Sequence, residues 1–235
     1  MPIRPGRRLL FLSLALLALL VAPSVATPAG GISIYGAPGG SNLTLTTKGG
    51  NLVVEGQMAE THPKGCHLSQ DLSRAVCKLA SADRIELTMG SAADTVDVAG
   101  PMPTPVTAYL GPGSDKMIGN AESDTCYSGG SRRNRCIGGG GNDVCITGEE
   151  NSDCVGDAGN DYCETNDGSD GCWGGAGNDV CKMGPGQDGC HGEGGNDRLY
   201  GGSDPDQLYG GAGFDYCDGG PGRGQSHECD TGPGR

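Results

Sequence analysis

Apolar residues are distributed along this 235-residue chain in three ways. Near the start they are continuous: LLFLSLALLALLV (9–21) follows a basic segment with Arg4, Arg7 and Arg8 and precedes SVA ending at Ala26. That order is the pattern of a cleavable export signal. The 13 apolar residues fall short of the ~20 that span a hydrocarbon core, so residues 1–26 are expected to be removed after Ala26 rather than to anchor the chain. Between 27 and 109 the pattern changes to short, often alternating runs, NLTLTT (42–47), NLVVEG (51–56), RIELTMG (84–90), TVDVAG (95–100) and PVTAYL (105–110), separated by Gly, Pro and polar residues. These predict β-strands joined by turns.

From 110 onward the inward-type positions thin to one in nine. Cysteine stands at 136, 145, 154, 163, 172, 181 and 190, and the same phase continues through Leu199, Leu208 and Cys217. Written as nonamers the segment reads GGGGNDVCI (138–146), TGEENSDCV (147–155), GDAGNDYCE (156–164), TNDGSDGCW (165–173), GGAGNDVCK (174–182), MGPGQDGCH (183–191), GEGGNDRLY (192–200), GGSDPDQLY (201–209) and GGAGFDYCD (210–218). Weaker copies precede them: LGPGSDKMI (110–118), GNAESDTCY (119–127) followed by one inserted residue, Ser128, and GGSRRNRCI (129–137). MGSAADTVD (89–97) looks like a decayed copy with Asp94 in the sixth place and Val96 in the eighth.

This GGxGxDxUx pattern, with U apolar, resembles the haemolysin-type (RTX) calcium-binding nonapeptide-repeat family. The resemblance implies an all-β fold, a right-handed parallel β-roll over residues 110–218. Residues 27–109 are then an amino-terminal β region that caps the roll, and 219–235 a tail. Each nonamer makes half a coil, its last three residues forming a short strand that sends U inward. Glycines let the turn carbonyls converge, and the sixth-place carboxylate adds the hard oxygen ligand that Ca2+ prefers. The family implies that each ion lies between turns two repeats apart. One edge then carries Asp124, Asp143, Asp161, Asp179, Asp197 and Asp215; the other carries Asp115, Asn134, Ser152, Asp170, Asp188, Asp206 and Gly224. If both turns must supply a carboxylate, the first edge is expected to hold five ions and the second two, at Asp170/Asp188 and Asp188/Asp206. Where the second edge loses its acid, Arg132, Arg133 and Arg135 offer positive charge in place of a metal, or simply form a solvated turn.

Composition sharpens this picture. Two Phe, one Trp and seven Tyr beside 46 Gly cannot make a large apolar core. Something besides hydrophobic burial must hold the coils. Removing the signal leaves 13 basic against 29 acidic side chains, a balance that disfavours nucleic acid and anionic membrane surfaces and attracts cations. Twelve cysteines in an exported chain point to disulfides, because the extracellular compartment is oxidising. Coils stack ~4.8 Å apart, so rungs between cysteines one coil apart are expected, eighteen residues on, or nineteen across the insertion at Ser128: Cys126–Cys145, Cys163–Cys181, Cys136–Cys154 and Cys172–Cys190. Two alternatives stand beside them, bonds between cysteines nine apart across the interior, and reduced thiols acting as small buried hydrophobes. Cys66 with Cys77 and Cys217 with Cys229 complete the set.

Catalytic signatures are sparse. Of the four histidines, His62, His67, His191 and His227, none belongs to HExxH, and GxSxG is absent. Cys66 beside His67 suggests a nucleophile pair or a zinc ligand pair, but a disulfide to Cys77 is the simpler expectation. Trp173, Tyr200 and Tyr209 occupy outward ninth places, and Tyr200 and Tyr209 fall on opposite sheets rather than in one stripe. The expectation is a secreted, non-catalytic calcium-binding protein without a membrane span, with a structural or cell-surface role and an unidentified surface or matrix partner. An adhesion module on the same scaffold and a small hydrolase within 27–109 are the rivals.

Overall fold

Isolated inward residues flanked by outward ones favour short strands, and the glycine-rich turns between them permit tight reversals. The computed structural model describes residues 31–59, 66–79, 84–130, 132–222, 225–230 and 232; the expected signal peptide and Gly224 lie outside the described residues. In chain order the strands are β1 (Gly31–Tyr35), β2 (Asn42–Lys48), β3 (Asn51–Glu55), β4 (Cys66–Leu68), β5 (Arg74–Lys78), β6 (Arg84–Thr88) and β7 (Thr95–Val98). They continue as β8 (Val106–Pro112), β9 (Lys116–Ile118), β10 (Thr125–Gly129), β11 (Arg135–Gly140), β12 (Val144–Ile146), β13 (Asp153–Ala158) and β14 (Tyr162–Glu164). The last are β15 (Gly171–Ala176), β16 (Val180–Lys182), β17 (Gly189–Gly194), β18 (Arg198–Tyr200), β19 (Gln207–Ala212), β20 (Tyr216–Asp218) and β21 (Gln225–His227).

Successive strands from β6 to β21 alternate between two sheets. One runs β1-β6-β8-β10-β12-β14-β16-β18-β20, and the other runs β21-β19-β17-β15-β13-β11-β9-β7-β2-β3-β5-β4. All neighbours in the first sheet are parallel, as are those from β2 to β21 in the second, and the chain winds as a parallel β-roll of about 7 turns. Residues eighteen apart stack in register, for example Cys163 on Cys145 and Leu208 on Cys190. The inserted Ser128 is taken up as a nineteen-residue step, Thr125 on Val144 and Lys116 on Arg135, after which the coils return to eighteen. A separate register shift pairs Tyr127 with Tyr109 and Ser128 with Gly111 and leaves Leu110 of β8 as the bulged residue. Parallel pairing also runs upstream of residue 110, reaching β1 and β2, and the decayed copy at 89–97 supplies β7 with Val96 buried. Among the described strands, β2 with β3, β3 with β5 and β5 with β4 pair antiparallel, at the amino-terminal end of the second sheet.

In the later coils the core is a single line of buried side chains between the sheets. Facing cysteines of the repeats have Cα atoms 6.0 to 6.6 Å apart, far less than the ~10 Å of ordinary sheet packing. This thin interior corrects the expected disulfides. Cys126–Cys136, Cys145–Cys154 and Cys172–Cys181 close across the coil, while Cys163 and Cys190 are buried thiols. The expected rungs Cys126–Cys145, Cys136–Cys154, Cys163–Cys181 and Cys172–Cys190 do not form. Stacked residues of a parallel ladder project side by side at the strand spacing of ~4.8 Å, wider than the ~3.8 Å between Cβ atoms that a disulfide prefers. Facing residues point at one another instead. Cys66–Cys77 and Cys217–Cys229 pair as expected, and the former leaves no thiol beside His67.

Candidate metal centre

Each repeat leaves its strand through a turn whose glycines are demanded by crowding. Gly177 has φ 144°, and a Cβ there would collide with the Gly159 carbonyl of the coil before. Tight winding brings every sixth-place side chain onto the next turn of the same edge. On the first edge Asp143 Oδ1 accepts from Asp124 N at 2.6 Å, Asp161 Oδ1 from Asp143 N at 2.7 Å, Asp179 Oδ1 from Asp161 N at 2.7 Å, and Asp197 Oδ1 from Asp179 N at 2.8 Å. Asp215 Oδ1 accepts from Asp197 N at 2.9 Å, and Asp230 extends the row through Asp215 N. The second edge repeats the arrangement with Asp188 to Asp170 N at 2.8 Å and Asp206 to Asp188 N at 3.0 Å.

On seven of these aspartates the other carboxylate oxygen has no such donor. Oδ2 of Asp143, Asp161, Asp179 and Asp197 on one edge, and of Asp170, Asp188 and Asp206 on the other, is buried with no hydrogen-bond partner. These residues are at most 6% exposed. A Cβ on Gly156 would overlap both Asp161 Oδ2 and the Gly174 carbonyl oxygen, and Gly192 holds the same cradle between Asp197 Oδ2 and the Gly210 carbonyl. Oxygens from two turns thus converge on a space that only glycine leaves open. Burial raises the carboxyl of Asp143 to about 7 and those of Asp170, Asp179, Asp188, Asp197 and Asp206 to about 6. Neighbouring carboxylates add to the rise, Asp157 beside Asp143 and Glu193 beside Asp179 among them. Asp124 and Asp161 rise for the same first reason, burial. Unpartnered buried oxygens whose ionisation is costly fit a hard divalent cation held by carboxylates and carbonyls.

A family model for the RTX calcium-binding nonapeptide repeat matches four copies, over residues 155–181 and 191–225. The chain carries RTX calcium-binding nonapeptide repeats. Such repeats bind Ca2+. No curated protein and no solved structure matches the chain.

The RTX rows reach further upstream than the matched copies. Asp94 and Asp115, 1% and 2% exposed, also keep a buried unpartnered Oδ2, and Asp115 Oδ1 accepts from Asp94 N at 2.8 Å. Burial raises both carboxyls, that of Asp115 to about 6. The sequence places Asp115 on the second edge and Asp94 in a decayed copy, but the ion pairs expected on that edge are only those at Asp170/Asp188 and Asp188/Asp206. At the gap in the second edge Asn134 keeps the ladder bond, accepting from Asp115 N at 2.9 Å, and its Nδ2 donates to the Gly129 carbonyl at 3.1 Å. Ser152 Oγ donates to the Glu150 carbonyl at 2.8 Å. Amide and hydroxyl donors thus satisfy carbonyls there. Arg133 pairs with Asp153 at 2.8 Å, outside the row, rather than standing in for an ion.

Two further ladders run along the RTX coils. Fifth-place Asn142, Asn160, Asn178 and Asn196 each accept from the backbone N eighteen residues on, at 2.7 to 2.8 Å. They stiffen the first edge beside the aspartates. On the second sheet Trp173, His191 and Tyr209 stack, with ring centroids 6.1 and 4.7 Å apart and nearly parallel planes. Tyr200 lies on the other sheet, as its spacing predicts. The rings turn their faces to one another, so this is a packing stack rather than a flat platform.

Proposed function

We propose that the protein is an exported, non-catalytic scaffold in which Ca2+ bridges successive turns of both edges. The ligands are the carboxylates of Asp124, Asp143, Asp161, Asp179, Asp197 and Asp215 on the first edge and of Asp170, Asp188 and Asp206 on the second, together with turn carbonyls. Asp94 and Asp115 add one more pair upstream, while Asn134 and Ser152 interrupt the second edge. The observation that carries this reading is the buried, unpartnered Oδ2 of Asp143, Asp161, Asp179 and Asp197 on one edge and of Asp170, Asp188 and Asp206 on the other; at the upstream end Asp124 Oδ2 instead accepts from Asn120 N at 3.0 Å. Residues 1–26 act as the export signal, and a calcium-rich, oxidising exterior suits both the acidic rows and the disulfides. Affinities of ~10⁻⁴–10⁻³ M, those of extracellular modules, make the fold respond to exterior calcium. The role is structural, at a cell surface or in a matrix.

Calorimetric titration of the chelated protein with CaCl2, against MgCl2 as control, tests the assignment. Several equivalents of calcium should bind with a gain of β circular dichroism, and magnesium should produce little of either, because its small octahedral shell suits bound water better than an all-protein cage. Binding of fewer than two calcium ions, or equal binding of magnesium, overturns it.

A further inference from the structure

The disulfide ladder changes phase along the roll. Cys126–Cys136 and Cys145–Cys154 each run from a strand of the β1-containing sheet forward to the next strand of the opposite sheet. Cys172–Cys181 runs the other way round, from β15 in the β21-containing sheet forward to β16 in the first. Both phases are therefore accessible to this interior: Cα separations are 6.1 and 6.0 Å in one and 6.6 Å in the other, all within the ~4.4–6.8 Å that a disulfide spans. Cys163 and Cys172 each have cysteines on the opposite sheet both nine residues before and nine after them. The sulfurs of Cys163, Cys172 and Cys181 lie within 4.8 Å of one another, as do those of Cys145, Cys154 and Cys163. The phase change strands Cys163 and Cys190 as thiols on opposite sheets. Along a zigzag of eight cysteines only one pairing of neighbours leaves no thiol over.

We propose that Cys163, Cys172, Cys181 and Cys190 form an exchangeable dithiol–disulfide switch in the core, whose oxidised state holds Cys163–Cys172 and Cys181–Cys190. The first step is an isomerisation. The Cys163 thiolate attacks Cys172 Sγ, the Cys163–Cys172 bond forms, the Cys172–Cys181 bond breaks, and Cys181 leaves as a thiolate that takes up the proton Cys163 lost. The second step is a two-electron oxidation by a small-molecule disulfide. Cys181 attacks that disulfide and releases one thiol, and Cys190 then attacks the mixed disulfide, forming Cys181–Cys190 and releasing the second. The ladder then reads in one phase, with all twelve cysteines paired. Cys181 and Cys190 are 1% and 0% exposed, so the oxidant reaches them only when the coil opens. The switch thereby reports opening of the middle of the roll and does not depend on calcium being the bound ion.

The test uses the full chain incubated with glutathione disulfide or held without oxidant, then quenched in acid, unfolded, alkylated, digested with pepsin at low pH to suppress scrambling, and mapped by mass spectrometry. With oxidant, cross-linked peptides joining 163 to 172 and 181 to 190 should appear and alkylation of these four residues should disappear. Without oxidant, part of the label on 163 should move to 181. The Cys190→Ser variant, which blocks the second step, should give a mixture of the 163–172 and 172–181 bonds with one alkylated thiol. Retention of 172–181 alone, with 163 and 190 still alkylated after prolonged oxidation in the wild type and no 163–172 bond in Cys190→Ser, overturns the proposal. Bonds between residues eighteen apart do the same.

Discussion

The first coils and the later coils of this roll are wound alike and held differently. In β1, β6 and β8 at least two aliphatic residues per strand turn inward and stack in register, Ile32 on Ile85 on Val106 and Ile34 on Leu87 on Ala108, none more than 3% exposed. In β12, β14, β16, β18 and β20 a single residue turns inward, Cys145, Cys163, Cys181, Leu199 and Cys217 in order. Burying an aliphatic side chain contributes about 1.5–3 kcal/mol, so the early coils gain stability from burial that the later ones lack. The later coils substitute covalent cross-links and a cation-hungry edge. The comparison teaches that one winding tolerates two stabilising strategies, provided each coil repeats its neighbour's backbone.

Chelation should separate the two regions most. A site held at a hundred times its dissociation constant stabilises by about 2.7 kcal/mol, and several such sites act on the later coils. After addition of a calcium chelator, hydrogen exchange should accelerate across β12 to β20 while β1, β6 and β8 keep their protection; uniform loss across the chain would abolish the distinction. Next comes pH, acting on the metal-free protein. The raised carboxyls, about 6 to 7 against an ordinary 3.8, mean that the fold binds protons more tightly than the unfolded chain does. Their stabilising contribution is complete below pH ~4 and is lost as pH rises through 6 to 7. Urea midpoints in chelator should therefore fall between pH 5 and pH 8, whereas calcium affinity should rise over that window because the ion displaces the protons. A midpoint that climbs with pH contradicts this.

Ile85→Ala should cost about 2–5 kcal/mol by the cavity it leaves, in calcium and in chelator alike, since the loss comes from apolar burial in β6 and not from the carboxylate row. Replacing both Cys145 and Cys154 by Ser removes a bond expected to contribute about 2–4 kcal/mol; its denaturation midpoint should drop under oxidising conditions and match the parent under reducing ones. The smallest effect should come from Asp179→Asn, which keeps the ladder hydrogen bond and removes a charged ligand: apparent calcium affinity should fall about tenfold, or ~1.4 kcal/mol, with little change in chelator.

Much of this was legible without coordinates. The nine-residue phase located the inward position of each later strand, the inserted Ser128 marked where the step between coils lengthens by one residue, and the sixth-place acids sorted themselves onto two edges. The reach of the roll was harder to see, because the strands from β1 to β8 use ordinary aliphatic alternation with no glycine-rich turn to announce a coil. Asp94 and Asp115 were both visible as sixth-place acids, but only the register of the coils joins them as neighbours in one row. His191 escaped notice as the middle of an aromatic stack, since Trp173 and Tyr209 lie thirty-six residues apart and only the eighteen-residue register makes them neighbours of a common third.

Period and chemistry are local properties, carried by which residue recurs at which spacing, and the chain alone determined them: parallel coils, carboxylate rows, cysteines in the core. Distance across the interior is not local. It depends on how closely two sheets settle once small side chains fill the space between them, and only the tertiary structure decided that it is about 6 Å at the cysteines. That separation turned expected rungs along each sheet into bonds between the sheets, because a disulfide follows the direction of its Cβ atoms and not merely their nearness.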